Sequence, residues 1–470
     1  MDQQKIPDSE LMFNQLKLDF KNSFDMKIER VPTNSGEVVL AYVDGMINRD
    51  LFNRDVITPL KSDSFAGDIP KSILTSIDKV DDHQKFIIEI LNGSLGIYYN
   101  GERFISDIRK WEKRSVETPG SENATRGPKE GFTEDLLTNT ALLRRKIRNE
   151  NLVLESRVLG RQSRTKVVIG YVDGIANKEV LALLRERLDQ IDIDSVLETG
   201  TIEQLIDNKP LIPLSTIGMS QKPDVIASKI MEGRVCLFCD GSPHALYLPE
   251  LFIENLQRSE DYYHRAPIAT FLRIIRFIGF LISVILPGFY VGMATFNPEM
   301  LPPSFLVTII SSMEQTPFPE AIEILFLVLM MELLKESGTR LPKALGSAVS
   351  IVGALIIGEA AVNAGIVSAP SVIIVALSAV AGFIVPNLNE FTTIYKLIFI
   401  IFASLMGIIG LAAVLVIMIT QLSAMRSFDI PIMSFFHKNE LKDSLLRFPT
   451  RHLRFRPASI QRENFKRIGK

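Results

Sequence analysis

The 46 residues from Ala344 to Asn389 carry a single formal charge, Glu359. A membrane-crossing helix needs about 20 apolar residues at about 1.5 Å of rise each, so this length has room for two helical passes or a re-entrant pair. Gly346, Ser350, Ala354 and Gly358 recur every four residues and form one ridge of small side chains, along which another helix can approach closely. Glu359 lies one residue round from that ridge, and Asn363, four residues on, shares its face. A carboxylate facing lipid is costly, so that face is expected to meet protein or water. Glu359 and Asn363 are therefore candidate pore-lining or intramembrane polar residues, and the four small residues a candidate helix-packing ridge.

Hydrophobicity is unevenly spread. The mean hydropathy of +0.19 is high for an ordinary soluble protein. The excess is concentrated between Phe277 and Ile419, the chain before Arg265 being charged and mixed and the chain after Arg426 basic. The expected fold is an α/β cytoplasmic domain of two related subdomains followed by an α-helical multipass membrane domain. Its expected parts are a polar N-terminal segment (1–35), subdomain 1 (36–116), a linker and basic helix (117–165), subdomain 2 (166–260), a transmembrane domain (261–425) and a basic cytoplasmic tail (426–470). The formal net charge of −2 gives no global field for nucleic acid. The N-terminus lacks the basic and apolar pattern of a cleavable signal. Two cysteines cannot build a disulfide framework, which fits a reducing compartment.

The soluble part contains an internal echo. The run Val38 to Gly45 reappears at Val167 to Gly174, both ending Tyr-Val-Asp-Gly. A second pair follows each copy, Ile97 to Gly101 and Leu237 to Gly241. Short β-branched and aromatic runs ending in Asp-Gly or Asn-Gly read as strands running into tight turns, and stretches such as Lys178 to Leu188 read as helices between them. Glu117 to Lys129 has linker composition. Thr133 is the expected cap of a helix whose Arg144, Arg145, Lys146 and Arg148 read as a solvated or salt-bridged basic face. Cys236 and Cys239 form a lone Cys-x-x-C on a strand, where alternation sends the sulfurs to opposite faces, so no metal site is expected.

Arg265, Arg273 and Arg276 lead into twenty uncharged residues, Phe277 to Phe296, interrupted by Pro287-Gly288. Glu320 to Leu334 carries acids one turn apart and reads as an interfacial or pore-lining helix. Leu397 to Ile419, 23 uncharged residues, reads as one span. The tail from Gln421 holds eleven Lys and Arg against four acids, a positive-inside signal. With both ends cytoplasmic the number of crossings is even; of five candidate segments, Glu320 to Leu334 is the one expected not to cross.

Several stretches resemble the A subunit of the GerA-type spore germination receptors of Bacillus and Clostridium, over nearly the whole chain from about Val38. The most specific are Arg126 to Leu136, Asn139 to Arg145, Leu286 to Val291, Phe296 to Pro302, Arg340 to Lys343, Val349 to Gly358 and Ala364 to Ser368. The resemblance implies a multipass subunit of the spore inner membrane, with N- and C-termini on the core side, working with a transporter-like B subunit and a lipoprotein C subunit. It implies a homo-oligomeric, nutrient-gated cation channel that triggers germination, with no cofactor. At the Glu359 position the family pattern often has Gln, which leaves a polar pore role open and argues against an obligatory proton relay there. Two other readings stay open: a non-conducting scaffold or signal-coupling subunit for a transporter-like partner, and a secondary transporter, although the membrane part shows no two similar halves. An enzyme is not expected, because the sequence has no phosphate loop, GxSxG or metal-ligand pattern.

Overall fold

The computed structural model describes residues 7–110 apart from 64, 66 and 74, and residues 126–207, 212–314, 316–340, 358–434, 441–460 and 466–467. Lobe 1 comprises α1 (Asp8–Asp19), β1 (Met26–Thr33), β2 (Gly36–Val43), a short helical stretch over residues 49–60, β3 (Ile77–Lys79), α2 (His83–Leu91), β4 (Leu95–Tyr99) and β5 (Glu102–Ser106). After α3 (Leu136–Lys146) comes lobe 2. It contains β6 (Leu152–Leu159), β7 (Thr165–Val172), α4 (Lys178–Asp189), α5 (Thr199–Ile206), β8 (Gly218–Ser220), α6 (Pro223–Met231), β9 (Val235–Cys239) and β10 (Ala245–Leu248).

Each lobe is one five-stranded antiparallel sheet, and the two have the same strand order: β1-β2-β4-β5-β3 and β6-β7-β9-β10-β8. The register matches as well, since Leu40 faces Ile97 across one central pair and Ile169 faces Leu237 across the other. Gly45 and Gly174 both adopt positive φ (83° and 79°), the backbone state that the Asp-Gly turn asks for. Both sheets extend further toward the N-terminus than the sequence pattern indicated. β1 lies inside the expected polar segment, and β6 inside the expected linker. The cause is physical: each is an edge strand with an exposed, charged side, so its apolar alternation is weak.

The sheets are covered on both faces. In lobe 1, Val39, Ala41 and Val43 meet α1 and α2, while Val38, Leu40 and Tyr42 meet Phe52, Val56 and Leu60. In lobe 2, Val168, Cys236 and Phe238 pack on α3 and α6. The opposite face, with Val167, Ile169 and Leu237, packs on α4 and continues through Leu251 and Phe252 into the helical layer.

That layer consists of α7 (Ala266–Phe296), α8 (Pro303–Met313), α9 (Glu320–Arg340), α10 (Ala369–Phe383) and α11 (Asn389–Ala424). By length and composition, Ala266–Phe296 and Pro386–Ala424 are long and apolar enough to cross a membrane, and Ala369–Phe383 is apolar but shorter. The second of these is not one straight rod. Gly407 has φ 63° and ψ −142°, and the Tyr395 hydroxyl donates to the Gln421 side chain 26 residues later. A straight helix would separate those two by about 39 Å, so the chain reverses at Gly407 into two antiparallel arms of about 25 Å each. The expected single span Leu397 to Ile419 is therefore a helical hairpin. Its turn abuts α7 at Gly292, and at Gly288 a Cβ would sit 2.9 Å from the Phe399 carbonyl, so the two helices meet where α7 has no side chain.

α9 packs lengthwise against α10, burying Glu323, Ile324, Leu327 and Val328 and leaving Ile322, Phe326, Leu329 and Leu333 exposed. It starts beside Ser371 at the head of α10, and further along it Lys335 lies over the Phe383 ring at the foot of α10. The tail is not a free basic segment either: β11 (Arg426–Ser427), β12 (Ile430–Pro431) and residues 441–460 return to lobe 2.

Candidate functional site

Of the expected ridge, Gly346, Ser350 and Ala354 lie outside the described residues. Gly358 is buried, and a Cβ there would sit 3.3 Å from Val372 of α10, so this end of the ridge packs within the chain. Glu359 and Asn363 follow on the helical stretch 358–363, and both are exposed. The structure thus keeps the two polar residues on one outward face and the glycine on an inward one, as the spacing of four dictates.

Sequence reasoning missed the groups that lie deepest in the helical layer. Glu320 and Glu323, expected on an interfacial or pore-lining helix, are 2% and 1% exposed and so lie inside the chain's own packing. The Ser371 hydroxyl lies 2.7 Å from a Glu320 oxygen and 3.0 Å from a Glu323 oxygen, and the Ser368 N–H donates to Glu323 at 3.1 Å. The only signal was the Ser-Ala-Pro-Ser start of α10, 45 residues further along, which pairs with the acids only after folding. Lower in the layer, buried Lys396 lies 3.7 Å from Glu332, which also pairs with Lys335 at 2.9 Å.

At the junction between lobe 2 and the helices, charges are buried and paired. Asp261 accepts from Arg273 at 3.1 Å and from Arg276 at 2.7 and 2.8 Å, and Arg273 reaches on to Asp443 of the tail at 3.2 Å. Burial alone would raise Asp261, but the two guanidiniums hold it below the usual carboxylate range. Tyr262 and Gln257 also contact Asp443, so the tail straps the start of α7 to the lobe. Nearby, Glu254 accepts from Arg234 at 2.6 Å and from Lys229 at 2.7 Å. Burial works against its charge, yet these cations hold it at about 2, while burial and the Glu254 charge push neighbouring Glu250 up to about 8. A cavity of about 430 Å³ opens beside this network, lined by Lys229, Glu254, Arg258, Tyr262 and Tyr263 together with Asn387 of the helical layer.

Arg144 does not belong to a solvated face. It is fully buried and donates to both Asp25 oxygens at 2.8 and 2.9 Å, tying the start of lobe 1 to α3. Lys146 does pair with Glu130 at the surface. The α3 cap is Asp135 rather than the expected Thr133: Asp135 accepts from the Thr138 N–H at 2.7 Å, and the Thr133 hydroxyl accepts from the Asp135 N–H in the turn that leads in. Cys236 and Cys239 point to opposite faces of their sheet, as alternation requires. Among the described residues no group of three or more His, Cys, Asp or Glu side chains could hold a metal ion.

Comparison with known proteins shows the family. The family described as Bacillus/Clostridium GerA spore germination protein matches residues 14–459. Spore germination protein KA of Bacillus subtilis is 38% identical over 448 residues, covering 92% of this chain and 82% of that protein. Spore germination protein GerLA of Bacillus cereus is 38% identical over 363 residues, covering 76% and 74%. GerQA of the same species is 33% identical over 465 residues, covering 96% and 93%. Among solved structures, the N-terminal domain of the A subunit of the Bacillus megaterium spore germinant receptor GerK3 is 29% identical, with a TM-score of 0.40 over 51% of this chain and 93% of that one. These relatives are germination proteins rather than enzymes. With a family match over nearly its whole length and relatives above 30% identity, the chain belongs to the GerA family of spore germination proteins.

Proposed function

We propose that this chain is the A-type subunit of a nutrient germinant receptor in the spore inner membrane, and that copies of it assemble into a nutrient-gated cation channel. On this reading the partners are a transporter-like B subunit and a lipoprotein C subunit, and the helical layer is a multipass membrane domain. The start of α7 is tied to lobe 2 through Arg276 and the Leu256 carbonyl, and the tail returns to the same lobe, which favours an even number of crossings with the termini on one side. The observation that carries the conducting role is the exposed pair Glu359 and Asn363 on an otherwise apolar stretch. A charge there costs about 2.5 to 3.5 kcal/mol against lipid, so an oligomer that turns this face toward a shared aqueous path gives it an environment. A symmetric ring of such carboxylates attracts cations.

The test is cation flux through the reconstituted receptor. Glu359→Gln should lower cation selectivity with assembly intact, and Glu359→Lys should disfavour cation passage. If both assemble and pass cations at the wild-type rate after nutrient addition, Glu359 is not in the path. A second reading, a non-conducting coupling subunit, is favoured by the unbroken core between lobe 2 and the helices, which suits transmission of a signal. Absence of flux in the wild-type oligomer, with germination still dependent on the chain, would select it.

A further inference from the structure

Two helix N-termini converge inside the helical layer on the Glu320 and Glu323 carboxylates. One is the first turn of α9, which carries both acids, and the other is the start of α10, capped by Ser368. The donors aimed at the pair are few. The Ser371 hydroxyl touches both carboxylates and also lies 2.7 Å from the Ser368 hydroxyl. A hydroxyl has a single proton to donate, so it cannot satisfy both acids at once. One oxygen of each carboxylate has no hydrogen bond of good geometry among the described groups, and the Tyr290 hydroxyl of α7 faces Glu320 and Ser371 without a well-aligned bond to either. Tyr290 is 5% exposed, and its electrostatic neighbours are Glu320 and Glu323.

The charges do not balance. Each helix N-terminus is worth about +0.5 of a charge, so two of them offset about one of the two carboxylates. No described basic side chain supplies the rest: the charged or titratable neighbours of Glu320 are Glu323 and Tyr290. Among the described residues α8 and α11 bring Ile309, Leu397, Ile400 and Ala403, all apolar, to the surrounding cluster. An unpaired charge in such surroundings is costly enough that the group takes up a counter-charge or is neutralised.

We propose that Glu320 and Glu323, with Ser368, Ser371 and Tyr290, form a binding site for one monovalent cation, a proton or an alkali-metal ion, within each subunit. The site is enclosed in the subunit and does not depend on the conducting role of Glu359.

Dicyclohexylcarbodiimide, an apolar reagent that attacks protonated carboxyls, tests this on the purified full-length protein, with labelled residues located by peptide mass spectrometry. Labelling is followed from mildly acid to alkaline pH in sodium, potassium or choline chloride at equal ionic strength. A held proton gives labelling of Glu320 or Glu323 that falls several-fold toward alkaline pH and ignores the salt. A held alkali ion gives labelling slowed several-fold by sodium or potassium relative to choline. In Glu320→Gln the helix termini alone balance the remaining acid, so labelling of Glu323 should fall several-fold at a given pH. Undiminished labelling in that variant contradicts the charge count. If the wild-type protein is labelled at neither glutamate under any condition, and its unfolding temperature is the same in all three salts, the site does not exist; these wild-type arms stand even if the variant fails to fold.

Discussion

The two lobes share a strand order, a register and a turn, yet they differ in what lies beneath them. Both faces of the lobe 1 sheet are closed by lobe 1's own helices, with Ala141 of α3 as a contributor from outside. One face of the lobe 2 sheet packs on α4 and on into the helical layer, a single apolar cluster running from Ile169 through Phe252 to Phe280, Phe391 and Met418. The Phe252 ring makes edge contacts with both Phe280 and Phe391. Duplication therefore produced two copies of one scaffold, of which the second became the mechanical base of the helical layer and the first its appendage.

Substitutions at the two lobes should reveal this asymmetry. The largest effect is expected for Asp261→Ala, which leaves Arg276 and Arg273 buried without their shared carboxylate and should cost about 3 to 5 kcal/mol. Denaturation of the full chain should show lobe 2 and the helices loosening together while lobe 1 keeps its transition. Next come the matched core residues. Leu40→Ala and Ile169→Ala should each cost about 2 to 5 kcal/mol, the lost side chain plus the cavity left behind. Proteolysis of the first variant should open lobe 1 only, whereas the second should also expose sites in α7 and α11. Equal patterns for the two would erase the distinction.

A smaller effect is expected from pH. Glu250 lies where lobe 2 meets β11, its backbone N–H donating to Ser427 and its carboxylate accepting from Tyr247. Its folded value, about 8, is above its usual 4.5. The stability it contributes is therefore complete below its usual value and is lost as pH rises through about 8. The lobe 2 transition should fall over that window, and Glu250→Gln should flatten the fall. The smallest effect belongs to Glu359→Gln, which is exposed in the single chain and should leave its unfolding unchanged; a large destabilisation would place Glu359 in packing instead.

What the sequence revealed follows the same divide. The lobes were legible because the central strands repeat an apolar run and an Asp-Gly turn, and both signals are local. Edge strands β1 and β6 escaped because half their side chains face water. In the helical layer the informative contacts are not local. Gly407 sits in a uniformly apolar run where glycine is common in membrane helices, so the hairpin left no mark in the pattern. Glu320 and Glu323 read as interfacial or pore-lining acids until Ser368 and Ser371 arrive from another helix, and nothing local marks Arg144 as the buried member of its basic run until Asp25 is packed against it. The pair Glu359 and Asn363 was readable as one face, since helical spacing alone decides that.

The claim that lobe 2 and the helices form one body while lobe 1 is another is tested most directly by native-state hydrogen exchange of the full-length protein and of Phe252→Ala. The account predicts that amides of β7 and β9 open together with those of α7, and that Phe252→Ala lowers the protection of both while β2 and β4 keep theirs. Protection of β7 and β9 that instead follows β2 and β4, and is untouched by loss of the Phe252 ring, would contradict it.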